Sequence, residues 1–183
     1  MKLLLTLSGL IDRLNTMVGK SVYWLILGAV LVSAGNATVR YVFNESSNAW
    51  LEIQWYLFSA VFLLTSGYTL LRNEHIRIDV MTSGLSQRGH AWIDLLGGLF
   101  FLLPTTILIL WLSIPIFMDS FLSGEMSSDA GGLIRWPVKI LIPLGFALLA
   151  LQAVSEIIKR AAFLAGAIKH YGAPAAGHHG GAN

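Results

Sequence analysis

Charged and aromatic residues stand together at a few places in this 183-residue chain. Arg40, Trp50 and Glu52 lie close in sequence, and Arg135 adjoins Trp136. Arg72, Glu74, His75, Arg77 and Asp79 crowd into one short segment. Such sets can form ion pairs, anchor a loop through a carboxylate, or hold anionic headgroups. Catalysis would need a nucleophile, base or metal converging on a pocket, and the pattern offers none. The absence of cysteine removes disulfides, thiolate metal sites, Fe–S clusters and redox cysteine pairs. No GxxxxGK phosphate loop is present, which excludes an ATPase of that kind. His75 and His90 share one segment instead of facing helices, so a bis-histidine haem has little support. His178 and His179 make a weak ligand pair, and a solvated tail is the favoured reading there.

Asn36, Thr65, Ser66 and Gln152 are polar residues placed deep in apolar stretches. Asn36 and Gln152 suit interhelical hydrogen bonds better than an ion site. Glu156 precedes Lys159 and Arg160 by about one helical turn. It pairs with one of these cations or meets a partner protein.

The elements that must position these residues are membrane helices. Hydrophobic residues make up 55% of the chain and charged residues 12%, with mean hydropathy +0.68. An ordinary soluble domain carries about 25% charged residues, so a soluble enzyme is excluded. The net charge of +2 is spread thinly, which argues against a nucleic-acid partner. A spanning helix needs about 20 mainly apolar residues. Four stretches qualify: between Lys20 and Arg40, from Leu51 to Leu71, from Trp92 to Met118, and from Trp136 to Ile158. No strand alternation of the outer-membrane barrel kind appears. The expected fold is an all-α integral membrane protein with four transmembrane helices and an N-terminal amphipathic interfacial helix.

Basic residues set the orientation. The N-terminal segment carries Lys2, Arg13 and Lys20, the first loop Arg40 alone, and the middle loop Arg72, Arg77 and Arg88. The third loop carries Arg135 and Lys139, and the C-terminal segment Lys159, Arg160 and Lys169. The positive-inside rule then places both termini and the middle loop in the cytoplasm. The first and third loops, the latter with Asp119, Glu125 and Asp129, face outward.

Leu3, Leu7, Leu10, Ile11, Leu14 and Val18 fall near one helical face. Asp12 and Arg13 interrupt any signal-peptide pattern. Residues 1–19 therefore read as an amphipathic helix on the cytoplasmic surface, residues 20–168 as the transmembrane domain, and 169–183 as a disordered tail. The alternation from His75 to Met81 suggests a short interfacial segment leading back into the membrane. Pro104 should kink the third helix, and Pro137 sits where a first helical turn tolerates proline. Ala29, Ser33 and Ala37 form a small-residue stripe suited to close helix approach. Trp24, Trp50, Trp55, Trp92 and Trp136 form boundary belts.

Three stretches carry a family resemblance. Arg40-Tyr41-Val42-Phe43-Asn44 with Trp50-Leu51-Glu52 resembles the turn from helix 1 to helix 2 in the small, DctQ-type membrane subunit of TRAP (tripartite ATP-independent periplasmic) transporters. Arg72-Asn73-Glu74-His75-Ile76-Arg77-Ile78-Asp79-Val80 is similar to the segment that follows helix 2 there. Arg135-Trp136-Pro137, Pro143-Leu144-Gly145-Phe146 and Leu151-Gln152 resemble its fourth helix. Leu51-Glu52-Ile53 departs from the consecutive acids many relatives carry, which weakens any role needing two carboxylates there.

The resemblance implies a non-enzymatic scaffold subunit, separate from its partners, in the bacterial inner membrane. A large M-type subunit would carry the substrate and sodium sites and move as an elevator, so no cofactor is expected in this chain. A periplasmic P-type binding protein would deliver an organic acid. Arg40, Trp50, Glu52, Arg135 and Trp136 would then organise the outer loops near the docked binding protein, or make ordinary loop ion pairs. Arg72, Glu74, His75, Arg77 and Asp79 would fold the middle loop or hold lipid headgroups. Asn36, Gln152 and Glu156 would make interhelical polar contacts. A membrane anchor for a haem- or quinone-linked redox complex is the alternative, and a self-assembling channel a third possibility.

Overall fold

The computed structural model describes residues 1–44, 47–72 and 86–168. Helix α1 spans Lys2–Phe43, α2 Asn48–Arg72, α3 Gln87–Gly97, α4 Leu103–Ser123, α5 Trp136–Lys139 and α6 Leu141–Leu164. A π-helical turn, Gly98–Leu102, joins α3 to α4. No regular strand occurs among the described residues, and the one isolated bridge pairs Met126 with Ile134.

Helix α1 runs through the expected boundary at residue 19. It is a single helix of 42 residues, with no break between residues 19 and 20. Its first half does not stand apart from the bundle. Ser8, Ile11, Asn15 and Gly19 are buried, while Leu3, Leu7, Leu10 and Leu14 are exposed. The leucine stripe thus faces out, and a polar and small-residue stripe faces the other helices. The chain leaves α1 through Asn44 in the left-handed conformation, φ 56°, which asparagine tolerates better than most residues.

Three helical units are long and apolar enough to cross a membrane: Lys2–Phe43, Gln87–Ser123 and Trp136–Leu164. The fourth expected span, α2, has 25 residues. That length suffices, but Glu52, Gln54, Thr65, Ser66 and Thr69 dilute its apolar content. A kink is expected at Pro104, and a π turn lies directly ahead of it. Proline lacks an N–H and its ring crowds the carbonyl four residues back, and the turn widens so that the Leu103 N–H reaches the Gly98 carbonyl.

Helix α6 packs against α1, α2, α3, α4 and α5. Its sequence permits this, because its buried positions are mostly small: Pro143, Gly145, Ala153, Ser155 and Ala162. A Cβ on Gly145 would lie 2.7 Å from the Leu63 carbonyl oxygen of α2. Small residues of this kind let membrane helices approach closely. The interior is consequently small and polar, and the large side chains face outward. Trp24, Phe62, Phe101, Trp111 and Leu122 are each about three-quarters exposed. A soluble protein could not carry so large an apolar exterior. Lipid or a partner must cover it.

Candidate functional site

Two polar clusters hold the helices together, one at each end of the molecule. The first lies at the end expected to face outward. Glu52, in the second turn of α2, is 1% exposed. Its carboxylate accepts the Leu133 backbone N–H at 2.6 Å and the Ser127 hydroxyl. The Arg135 guanidinium lies 3.8 Å from the same carboxylate and donates to Ser127 Oγ at 3.0 Å. Arg135 also sits 5.4 Å above the Trp55 ring, a distance suited to cation–π attraction.

Further bonds from α2 secure the same loop. Asn48 Nδ2 donates to the Ala130 carbonyl at 3.0 Å, and the Tyr56 hydroxyl to the Ile134 carbonyl at 3.1 Å. Within the loop, the Ser127 N–H donates to Leu133 O at 2.9 Å and the Arg135 N–H to Glu125 O at 2.8 Å. Lys139 pairs with Glu125. The Lys139 ammonium holds the Glu125 carboxyl below its ordinary range. Trp136 closes the base edge-on against Phe121, with centroids 5.5 Å apart. Glu52, Arg135 and Trp136 therefore share one loop platform. Trp50 lies near Gly35 of α1. Arg40 is placed elsewhere, with Ser33, Asn36, Tyr41 and Asn44 along an open groove of about 570 Å³ on α1.

The second cluster joins α1, α3 and α6 at the opposite end. Gln152 of α6 is fully buried. Asn15 Nδ2 donates to Gln152 Oε1 at 2.9 Å, and Gln152 Nε2 donates to Asp12 Oδ1 at 2.9 Å and Glu156 Oε1 at 3.1 Å. Ser155 donates to Asp12 Oδ1 at 2.7 Å, and its hydroxyl lies 2.7 Å from that of Ser8. Lys159 bridges Asp12, at 3.1 Å, and Glu156. Arg160 bridges Glu156 and, at 3.2 Å, Asp94 of α3. The charged side chains are paired with one another across three helices, which is the condition under which buried charge is tolerated in a membrane protein, while the Asn15 Oδ1 is buried without a hydrogen-bond partner.

The sequence marks Asn36, Gln152 and Glu156 as interhelical polar residues and names no partner for Asn36 or Gln152. The structure brings Asn15 to Gln152, and Asn36 lies on the α1 groove described above. Ser8, Asp12, Asn15, Asp94, Ser127 and Ser155 were missed. One signal was available: Ser8, Asp12, Asn15 and Gly19 recur at helical spacing on one face. Arg72 ends α2. Glu74, His75, Arg77 and Asp79, with the proposed interfacial segment around them, lie outside the described residues, as does the tail beyond residue 168.

No group of three or more potential metal-ligating side chains occurs among the described residues. What the arrangement does is mechanical. It fixes a loop platform at one end and locks three helices at the other.

Comparison with family models matches residues 28–163 to the family described as "Tripartite ATP-independent periplasmic transporters, DctQ component". Comparison with curated proteins and with solved structures found no match. The family is one of transporter components, not of enzymes, and the match gives no support to a haem- or quinone-linked anchor.

Proposed function

This chain belongs to the DctQ family of TRAP transporter components, and from that membership we propose that it is the scaffold subunit of a sodium-coupled importer of an organic acid. In this reading it braces the immobile part of a large M-type membrane subunit. That partner carries the substrate and sodium sites and moves as an elevator. The chain also helps to dock a P-type periplasmic binding protein. All four long helical units cross the inner membrane. Helix α2 takes part as a span because its 25 residues, at about 1.5 Å per residue, cover the roughly 30 Å hydrocarbon core. Both termini face the cytoplasm, as the distribution of basic residues indicates.

The observation that carries this reading is the inverted packing. Ion pairs and hydrogen bonds lock the helices from within, and large apolar side chains cover the outside. A body of that kind keeps its shape while a neighbour moves against it. The loop platform built on Glu52 and Arg135 supplies a preformed polar surface for a water-soluble partner on the periplasmic side.

The test is isolation of the tagged chain from native membranes in mild detergent, with mass spectrometry of the co-purifying proteins. A large polytopic subunit in fixed stoichiometry is expected. Recovery of the chain alone as a homo-oligomer, or with a haem-bearing or dehydrogenase partner, would overturn the assignment.

A further inference from the structure

The open groove of about 570 Å³ on α1 is lined by Ser33, Asn36, Ala37, Arg40, Tyr41 and Asn44. Their three- and four-residue spacing puts them on one helical face. Ala37, Arg40, Tyr41 and Asn44 are exposed, and Ser33 and Asn36 are partly buried. Helix α2 meets α1 on another face. A Cβ on Gly28 would lie 3.9 Å from Leu57, and one on Gly35 3.9 Å from Trp50.

Two groove residues do not suit a surface turned to lipid. Among the described residues, no hydrogen bond reaches the Asn36 amide and no carboxylate pairs with Arg40. Asn36 stands four residues inward of Arg40, about 6 Å deeper in the span at 1.5 Å per residue. Hydrocarbon offers an amide neither donor nor acceptor. A lipid headgroup would meet Arg40 at the boundary and leave Asn36 unpaired one turn below. A protein helix can meet both. Asparagine hydrogen-bonds across membrane helices, and small residues let their backbones approach closely. Ser33 and Ala37 flank Asn36, and the Ser33 hydroxyl is turned back to the Ala29 carbonyl at 2.9 Å. The unpaired charge of Arg40 sets the sign of the surface that fits, which must be acidic at the rim.

We propose that this groove seats a membrane-spanning helix of the large partner subunit. That helix offers a hydrogen-bonding group to Asn36 and a carboxylate to Arg40. The proposal rests on the transporter reading above and adds to it the face of the chain that the partner covers.

A photo-crosslinking amino acid in place of Tyr41 tests this in native membranes, alongside recovery of the tagged chain and its partners. A crosslink from position 41 to the large subunit is expected. Interhelical hydrogen bonds of this kind are worth about threefold in association on average, so Asn36→Leu should weaken recovery of the large subunit by about that much, and Arg40→Gln should weaken it too. Neither side chain is bonded within the chain, so thermal unfolding of the purified chain alone should be unchanged in both variants. Crosslinks to lipid only, or to a second copy of this chain, would overturn the proposal. Full recovery of the large subunit in both variants would overturn it as well, as would a loss of recovery matched by a loss of thermal stability. Failure of the transporter reading has a different signature. If no large polytopic protein accompanies the tagged chain, that reading falls and the proposal with it. If one does and position 41 fails to crosslink to it, the reading stands and the groove assignment alone falls.

Discussion

The Glu52 carboxylate accepts the Leu133 backbone N–H at 2.6 Å across 81 positions of sequence. A side chain of α2 thereby fixes the backbone of the 124–135 loop. Ser127 and Arg135 complete the same carboxylate's surroundings. The loop's shape is thus written partly in a helix that precedes it by half the chain.

Replacing Glu52 by Ala should therefore release the loop while leaving the helices in place. Removing one partner of a buried charged pair costs about 3–5 kcal/mol. The Arg135 side chain is 20% exposed, so the lower end of that range or less is expected. Hydrogen–deuterium exchange should rise at Ser127, Leu133 and Arg135 in Glu52→Ala, and less in Glu52→Gln, which keeps an acceptor. Unchanged exchange in both variants would show that the loop holds its shape without the carboxylate.

At the other end, Asn15 and Gln152 form the central interhelical hydrogen bond between α1 and α6. Hydrogen bonds between membrane helices couple by about 0.6 kcal/mol on average, and up to roughly 1.7. A double-mutant cycle of Asn15→Ala and Gln152→Ala, read by unfolding in detergent, should give a coupling energy in that range. Strict additivity would mean that the two amides contribute independently.

Much of this framework was legible in the sequence, and the gaps have physical reasons. Apolar stretches located the helices because a span must satisfy its own backbone and face hydrocarbon. Glu52, Arg135 and Trp136 stood out because charge beside tryptophan marks a membrane boundary. Ser127 did not, because a serine in a polar loop carries no distinctive signal. The Leu133 N–H could not be read at all, since a backbone donor has no letter in the sequence. Residues 1–19 carry a second signal that their apolar residues obscure. Six apolar residues near one face suggest a helix lying on the membrane surface, and four of them, Leu3, Leu7, Leu10 and Leu14, do point outward, while Ile11 is buried. The informative face was the opposite one, where Ser8, Asp12 and Asn15 meet Ser155 and Gln152. In a bundle whose exterior is apolar, the sparse polar stripe marks the interior.

Arg160 bonds to both Asp94 and Glu156 and so connects α3 to α6. Arg160→Met would leave two carboxylates near one another without that cation, and a loss of about 3–5 kcal/mol is expected. Arg160→Lys should recover only part of it, because an ammonium lacks the planar fork that reaches two partners. Thermal unfolding of the purified variants should rank wild type above Lys and Lys above Met. If Met proved as stable as wild type, the contact of α3 with α6 would rest on packing alone.

Glu125 gives the loop platform a dependence on pH. The neighbouring Lys139 ammonium holds its carboxyl below the ordinary value of 4.5. The folded state therefore binds this proton less readily than the unfolded state does. The group's contribution is complete above the unfolded-state value and is lost as pH falls through the lower, folded-state value. Glu125 is solvent-accessible, so the effect on global stability is small, and local exchange is the proper readout. Exchange at Arg135, whose N–H bonds to the Glu125 carbonyl at 2.8 Å, should be slower in wild type than in Glu125→Gln at neutral pH. The two proteins should converge only once the pH has fallen through the lowered, folded-state value, where the wild-type carboxyl becomes protonated. A difference that persisted unchanged into that acid range would show that the side chain's shape, not its charge pairing with Lys139, orders this end of the loop.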